Sequence, residues 1–137
     1  MNDSNVLDLI YELKKKCIQK DEAFFETFDI SQAEYNMFIC LSNCKHFNSY
    51  SVAEKMQLSL SRVSRIIDKM VNKEFLARST NKTDRRAIDI KMTAKGKNIM
   101  CKIIEYRQQR EKDLEEKLNT EEMEEIISVL RKLISMI

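Results

Sequence analysis

Between Leu58 and Met92 the spacing of apolar residues changes from a helical to a strand period, and that change constrains the fold more than any other feature of the chain. Val63, Ile66, Ile67, Met70 and Val71 recur at i, i+3, i+4, i+7 and i+8, the single apolar stripe of a helix that packs inward. At about 100° per residue, Ser61, Arg65, Asp68 and Asn72 take the opposite side, with Arg62 and Lys69 on its flank. From Arg86 the pattern alternates. Ile88, Ile90 and Met92 share one face and Ala87, Asp89 and Lys91 the other, which predicts a half-buried strand. Phe75 to Arg78 reads as its partner, and the polar run from Ser79 to Arg85 as the turn between them.

Ahead of the amphipathic helix, Asn48 or Ser49 caps a short helix through Tyr50, Val52, Ala53, Glu54, Lys55 and Met56, and Gln57 to Ser59 forms a turn. Ser59 then caps the second helix and leaves Ser61 and Arg62 in its first turn, where free N–H groups and the helix dipole attract phosphate. Charge opposite an apolar stripe is usual for an ordinary solvated helix. Two short helices across a tight turn, followed by a hairpin whose loop carries Lys82, Arg85 and Arg86 outward, fit a different purpose: one helix for the major groove of a duplex and a wing for the minor groove.

The charge distribution agrees. From Ser59 to Lys97 eleven basic residues face four acidic ones, a net +7, whereas Glu111 to Glu125 holds two basic and eight acidic residues, a net −6. The near-neutral total of +2 hides a basic module suited to the salt-dependent part of DNA affinity.

The run from Leu58 to Met70, then Phe75-Leu-Ala-Arg, Thr83-Asp-Arg-Arg-Ala and Met92-Thr-Ala-Lys-Gly96, resembles the winged helix-turn-helix of the MarR family. The Asp-Arg-Arg wing followed by Thr-x-Lys-Gly is the most specific part, and the similarity extends from about Asp8 to the C-terminus. The resemblance implies that Arg86 reaches the minor groove, that Asp84 orients it, and that Ser59, Ser61, Arg62, Ser64 and Arg65 occupy recognition-helix positions, with Lys69 beside them. Two positions depart from the family: Gln57 in the inter-helix turn and Glu74 at the helix exit stand where relatives often have Gly. Each of these sites commonly wants φ > 0.

With 137 residues, one Gly and no Pro, the chain is expected to be a single mainly α domain of long helices with a small β-hairpin wing. The winged module would span about 31–97, flanked at 1–28 and 98–137 by dimerisation helices. Within it, Ile30 to Cys44 reads as an internal helix with Ser31 and Glu34 as a capping box and Ile30 stapled to Tyr35. Thr93 is expected to cap a long helix bearing Ile103, Ile104, Leu114 and Leu118. The flanks carry apolar stripes at Val6, Leu9, Ile10, Leu13 and Cys17, and at Met123, Ile126, Ile127, Leu130, Leu133, Ile134 and Ile137. These stripes suit either a helical cap over the chain's own core or a two-fold dimer with recognition helices ~34 Å apart on a pseudo-palindromic site.

The function this implies is sequence-specific binding of double-stranded DNA by a homodimeric regulator, a repressor released by a small ligand or an oxidant. A winged module that binds only protein is the alternative, and Arg62, Arg65 and Arg86 speak against it. In the family the effector pocket lies where the dimerisation helices meet the winged module, which nominates Phe24, Phe25, Phe28 and Tyr106, residues equally suited to a core. Some relatives sense oxidants through a cysteine in the N-terminal helix, which nominates Cys17. Cys40, Cys44 and His46 suggest a metal site, but a helix does not converge them and zinc needs a fourth ligand, so buried small hydrophobes are the expected role of these cysteines. No cofactor, metal or enzymatic activity is expected: one His, one Gly and no nucleophile motif exclude the common catalytic sets. No signal peptide or membrane span is evident, so a cytoplasmic protein is expected.

Overall fold

The computed structural model describes residues 5–44, 46–80 and 88–137. Its elements in order are α1 (Val6–Phe28), α2 (Gln32–Leu41), β1 (Phe47–Asn48), α3 (Ser49–Met56), α4 (Leu60–Asn72), β2 (Leu76–Thr80), β3 (Ile88–Met92), α5 (Ala94–Lys117) and α6 (Thr120–Met136). The chain divides into two compact units, Met1–Met100 and Cys101–Ile137.

The core of the first unit follows from the apolar stripe of α4. Val63, Ile67 and Met70 are fully buried with Met37, Phe38 and Leu41 of α2, while Ile66 and Val71 are half-buried at the stripe's margins. Each such side chain contributes roughly 1.5–3 kcal/mol of burial. Phe38 and Phe75 meet with ring centroids 5.5 Å apart. The sheet is antiparallel in the order β1-β3-β2, with Leu76 opposite Met92 and Arg78 opposite Ile90. β1 was not anticipated: two residues show no period. It pairs Phe47 with Ile90 and Asn48 with Asp89, making β3 the central strand.

Three expectations shift. The second helix is shorter than Ile30 to Cys44, because Ser31 caps it from outside, accepting the Glu34 N–H at 3.1 Å, and it ends at Leu41. Glu34 does not return the second half of a capping box; its carboxylate is 2% exposed and turns to Lys73 instead. The first wing strand starts at Leu76, since Phe75 is held in the exit turn of α4.

Three helices end the same way. Asp29, Gln57 and Glu74 have φ of 51°, 54° and 63°. After each, the next N–H reaches five residues back: Ile30 to the Phe25 carbonyl, Leu58 to Ala53 and Phe75 to Met70, at 3.0, 3.2 and 2.9 Å. The left-handed residue's own N–H donates three residues back, completing a Schellman motif each time. An apolar residue follows each left-handed position, and Ile30 and Phe75 are buried.

In the second unit, Asn119 caps α6 by accepting the Glu122 N–H at 2.8 Å, and Glu122 accepts the Asn119 N–H in return. The apolar stripe of α6 remains open to solvent in the single chain, with Ile126, Ile127, Leu130 and Ile134 all exposed. Val6, Leu9 and Leu13 of α1 are likewise more than half exposed. Among the described residues no helix is long and apolar enough to cross a membrane.

Candidate nucleic-acid interface

The helix-turn-helix is built by caps and one left-handed residue. Asn48 accepts the Ser51 N–H at 2.9 Å and Ser51 Oγ accepts the Asn48 N–H, which fixes the start of α3. Gln57 turns the chain, and Ser59 Oγ accepts the Arg62 N–H at 3.2 Å to begin α4. With Val63, Ile67 and Met70 committed to the core, geometry leaves Ser61, Arg62, Arg65 and Lys69 exposed on the outside and Ser64 half-buried. Ser59 itself is exposed, with its hydroxyl engaged as the cap.

One acidic group shares that outer face. Asp68 is ion-paired with Arg78 of β2, so a carboxylate that would repel phosphate is neutralised by a guanidinium from the wing sheet. Sequence reading placed Asp68 on this face but not its partner, because a pairing between helix and strand leaves no local pattern.

The junction from α4 to the wing is braced by the Thr-x-Lys-Gly segment. The Thr93 N–H and hydroxyl both donate to the Phe75 carbonyl, at 3.0 and 3.1 Å, and Thr93 Oγ1 accepts the Gly96 N–H at 3.0 Å, capping α5 as expected. Lys95 Nζ sits 5.4 Å from the centre of the Phe75 ring, a cation–π distance. Gly96 is buried beneath: a Cβ there would collide with the Phe75 carbonyl oxygen and lie 2.7 Å from Met92 Cγ. The motif is therefore a bracket fixing the helix exit against the root of β3. Lys82, Asp84, Arg85 and Arg86, which the sequence assigns to the wing tip, lie outside the described residues.

Among the effector candidates, Phe24, Phe25 and Phe28 are brought together on α1 and are half-buried. Phe24 and Phe28 meet at a tilt with ring centroids 4.8 Å apart, and Tyr35 of α2, which sequence reading assigned to a staple, meets Phe25 edge-on at 5.3 Å and Phe24 at 6.2 Å. Tyr106 belongs to the second unit, where the Arg110 guanidinium lies 5.7 Å from its ring centre. Cys17 is exposed on α1. Cys40 and Cys44 are half-buried rather than enclosed, and Cys44 accepts a hydrogen bond from Lys55 Nζ at 2.9 Å. Among the described residues no three His, Cys, Asp or Glu side chains are placed to hold a metal.

Residues 30–88 match the family model described as MarR family. A curated relative, the HTH-type transcriptional regulator SarZ of Staphylococcus aureus (strain USA300), is 23% identical over 97 residues, spanning 71% of this chain and 66% of its own length. Among solved structures, Streptococcus pneumoniae FabT in complex with DNA superposes with a TM-score of 0.87 at 16% identity, covering 96% of this chain and 94% of that one. The S. aureus MepR–DNA complex gives 0.81 at 20% identity, covering 98% of each chain. At such identities the structural likeness establishes the fold.

Proposed function

We propose that this chain, whose residues 30–88 match the MarR family model, is a transcriptional regulator that binds double-stranded DNA as a homodimer in the cytoplasm. The observation that carries this reading is the outer face of α4, where Arg62, Arg65 and Lys69 stand exposed beside a cap-built helix N-terminus and the one acidic neighbour is neutralised by Arg78. FabT and MepR, of the same fold, were each solved on DNA.

The winged module is assigned to about 31–97 and dimerisation to 1–28 and 98–137. The exposed apolar stripes of α1 and α6 support the second assignment, since contiguous apolar surface of this kind is ordinarily covered by a partner. A second copy covers both stripes at once through two-fold symmetry and sets two α4 helices about one DNA turn apart. Arg86, with Asp84, Lys82 and Arg85, supplies the minor-groove contact. Repression relieved by a small apolar ligand against Phe24, Phe25 and Phe28, or by an oxidant at Cys17, completes the reading.

Binding to a randomised duplex pool at several salt concentrations tests it. The expected result is selection of a two-fold related sequence, with affinity falling steeply with salt, by about 0.9 log units per tenfold salt for each phosphate neutralised. Binding lost in Arg86→Ala supports the wing assignment. Absent or salt-insensitive binding overturns the reading and leaves a protein-interaction module.

A further inference from the structure

Among the described residues the winged module leaves two large apolar side chains open to solvent, Tyr50 at 64% and Leu60 at 39%. The other exposed ones lie on α1, α5 and α6, the helices assigned to dimerisation. Tyr50 is the second residue of α3 and Leu60 the first of α4. The tyrosine carries a hydroxyl that hydrogen-bonds water or a phosphate, so its exposure has a ready cause. Leu60 has nothing polar to offer.

Nothing in the packing of α4 requires that leucine. The apolar positions that pin a helix start, one before the cap and four after it, belong to Leu58, half-buried, and Val63, fully buried. Val63, Ile67 and Met70 carry the buried side. At about 100° per residue, Leu60, Ser64, Ser61 and Arg65 follow one another round the helix in steps of about 40°, 60° and 40°, so the leucine closes one edge of the outer face. The serine hydroxyls beside it donate or accept, and suit one base pair as well as another. Leu60 can do neither.

We propose that Leu60 is a specificity-determining residue that recognises the C5 methyl group of a thymine in the major groove. The inference rests on the proposed DNA-binding function and names the base read at one point of that surface. Of the four bases, thymine alone presents an apolar group there; the others present only donors and acceptors. A recognition helix meets base edges with its N-terminal residues, and Leu60 is the first of them in α4.

The preference has an attractive and a repulsive part. Contact with a methyl group removes water from two apolar surfaces that are both wet in the free partners. Contact with a ring nitrogen, a carbonyl oxygen or an exocyclic amine strips water from a polar group and returns no hydrogen bond. Two-fold symmetry places one such thymine in each half-site.

The test uses the full chain and a duplex selected from the randomised pool. Thymines are replaced one at a time by deoxyuridine, which pairs in the same way and lacks only the methyl group. Affinities are measured at one salt concentration for the wild-type chain, Leu60→Ala and Leu60→Met. Leu60 is exposed and alanine is the best helix former, so Leu60→Ala should fold as the wild type does. At one position, loss of the methyl group is expected to weaken wild-type binding about fourfold in a single half-site and about fifteenfold in both. Leu60→Ala should bind the thymine and deoxyuridine duplexes alike, whereas Leu60→Met, which keeps an apolar contact, should retain most of the preference. The basic groups are untouched, so all three chains should share one salt slope. A merely structural role for Leu60 would lower affinity for both duplexes and leave their ratio unchanged. Methyl dependence that persists in Leu60→Ala, or wild-type binding indifferent to every replacement, overturns the proposal and leaves the DNA-binding reading standing. A wild-type chain that selects no duplex overturns that reading, and this inference falls with it.

Discussion

Lys73 Nζ lies 3.0 Å from Glu34 Oε1 and 2.7 Å from the Asp29 carbonyl oxygen, so a single ammonium ties the end of α4 to the α1–α2 junction. Glu34 is 2% exposed, and Lys73 is the cation the structure gives it. A buried pair of this kind adds little over a well-packed apolar pair, but removing one partner strands the other's charge. Lys73→Met is therefore expected to destabilise the fold by about 3 kcal/mol. Lys73→Met combined with Glu34→Leu should recover most of that loss. Urea unfolding of the two single variants and the double variant checks this; additive losses would show that the contact carries no coupling.

Gly96 is the chain's one glycine, and it is required by a close approach rather than by its dihedral angles. A methyl group at this position collides with the Phe75 carbonyl and crowds Met92, both fixed parts of the Thr93 bracket. Gly96→Ala is expected to cost about 3 kcal/mol, since backbone on one side leaves little room to relax. The check is thermal unfolding, where a small domain loses roughly 4–8 °C per kcal/mol.

Asp29, Gln57 and Glu74 hold the left-handed conformation with a Cβ present, a cost that glycine avoids. Gln57→Gly and Glu74→Gly are each expected to stabilise by about 0.5–1 kcal/mol. The sites terminate different helices, so the gains should add. Denaturant midpoints at unchanged slope are the measurement, and a loss at either site would mean that the side chain contributes more than the backbone strains.

The residues that were legible in advance share one property: their cause is local. The stripe Val63–Val71, the caps at Ser31, Ser59 and Thr93, and the alternation from Ile88 to Met92 each follow from a period or a side chain reaching its own neighbouring backbone, and each appears in the structure. The left-handed turns at Gln57 and Glu74 were visible as non-glycine residues where relatives often have glycine, while Asp29 was missed although Ile30 follows it as Leu58 and Phe75 follow theirs. β1 was invisible because two residues have no period. Lys73–Glu34, Arg78–Asp68 and Lys55–Cys44 were invisible because each joins residues at least ten positions apart, and sequence spacing says nothing about such pairs. Glu34 was even misassigned: local rules gave its carboxylate to Ser31, whereas tertiary structure offered a full positive charge, the stronger partner.

The Arg78–Asp68 pair makes a prediction that separates electrostatics from base contact. With the pair intact, the outer face of α4 presents Arg62, Arg65 and Lys69 without an opposing charge. Arg62→Ala and Arg65→Ala should each weaken duplex binding; a variant that loses a phosphate contact also lowers the salt slope by about 1, whereas one that loses a base contact relaxes sequence preference. Arg78→Ala should act differently. It uncovers Asp68, so binding should weaken a few-fold on every sequence alike, and Asp68→Ala placed in the same chain should restore it. Fluorescence anisotropy on a selected duplex and a scrambled one, at two salt concentrations, reads both effects. If Asp68→Ala fails to rescue Arg78→Ala, then Arg78 touches the duplex itself, and neutralisation of Asp68 is not what makes this face attractive to phosphate.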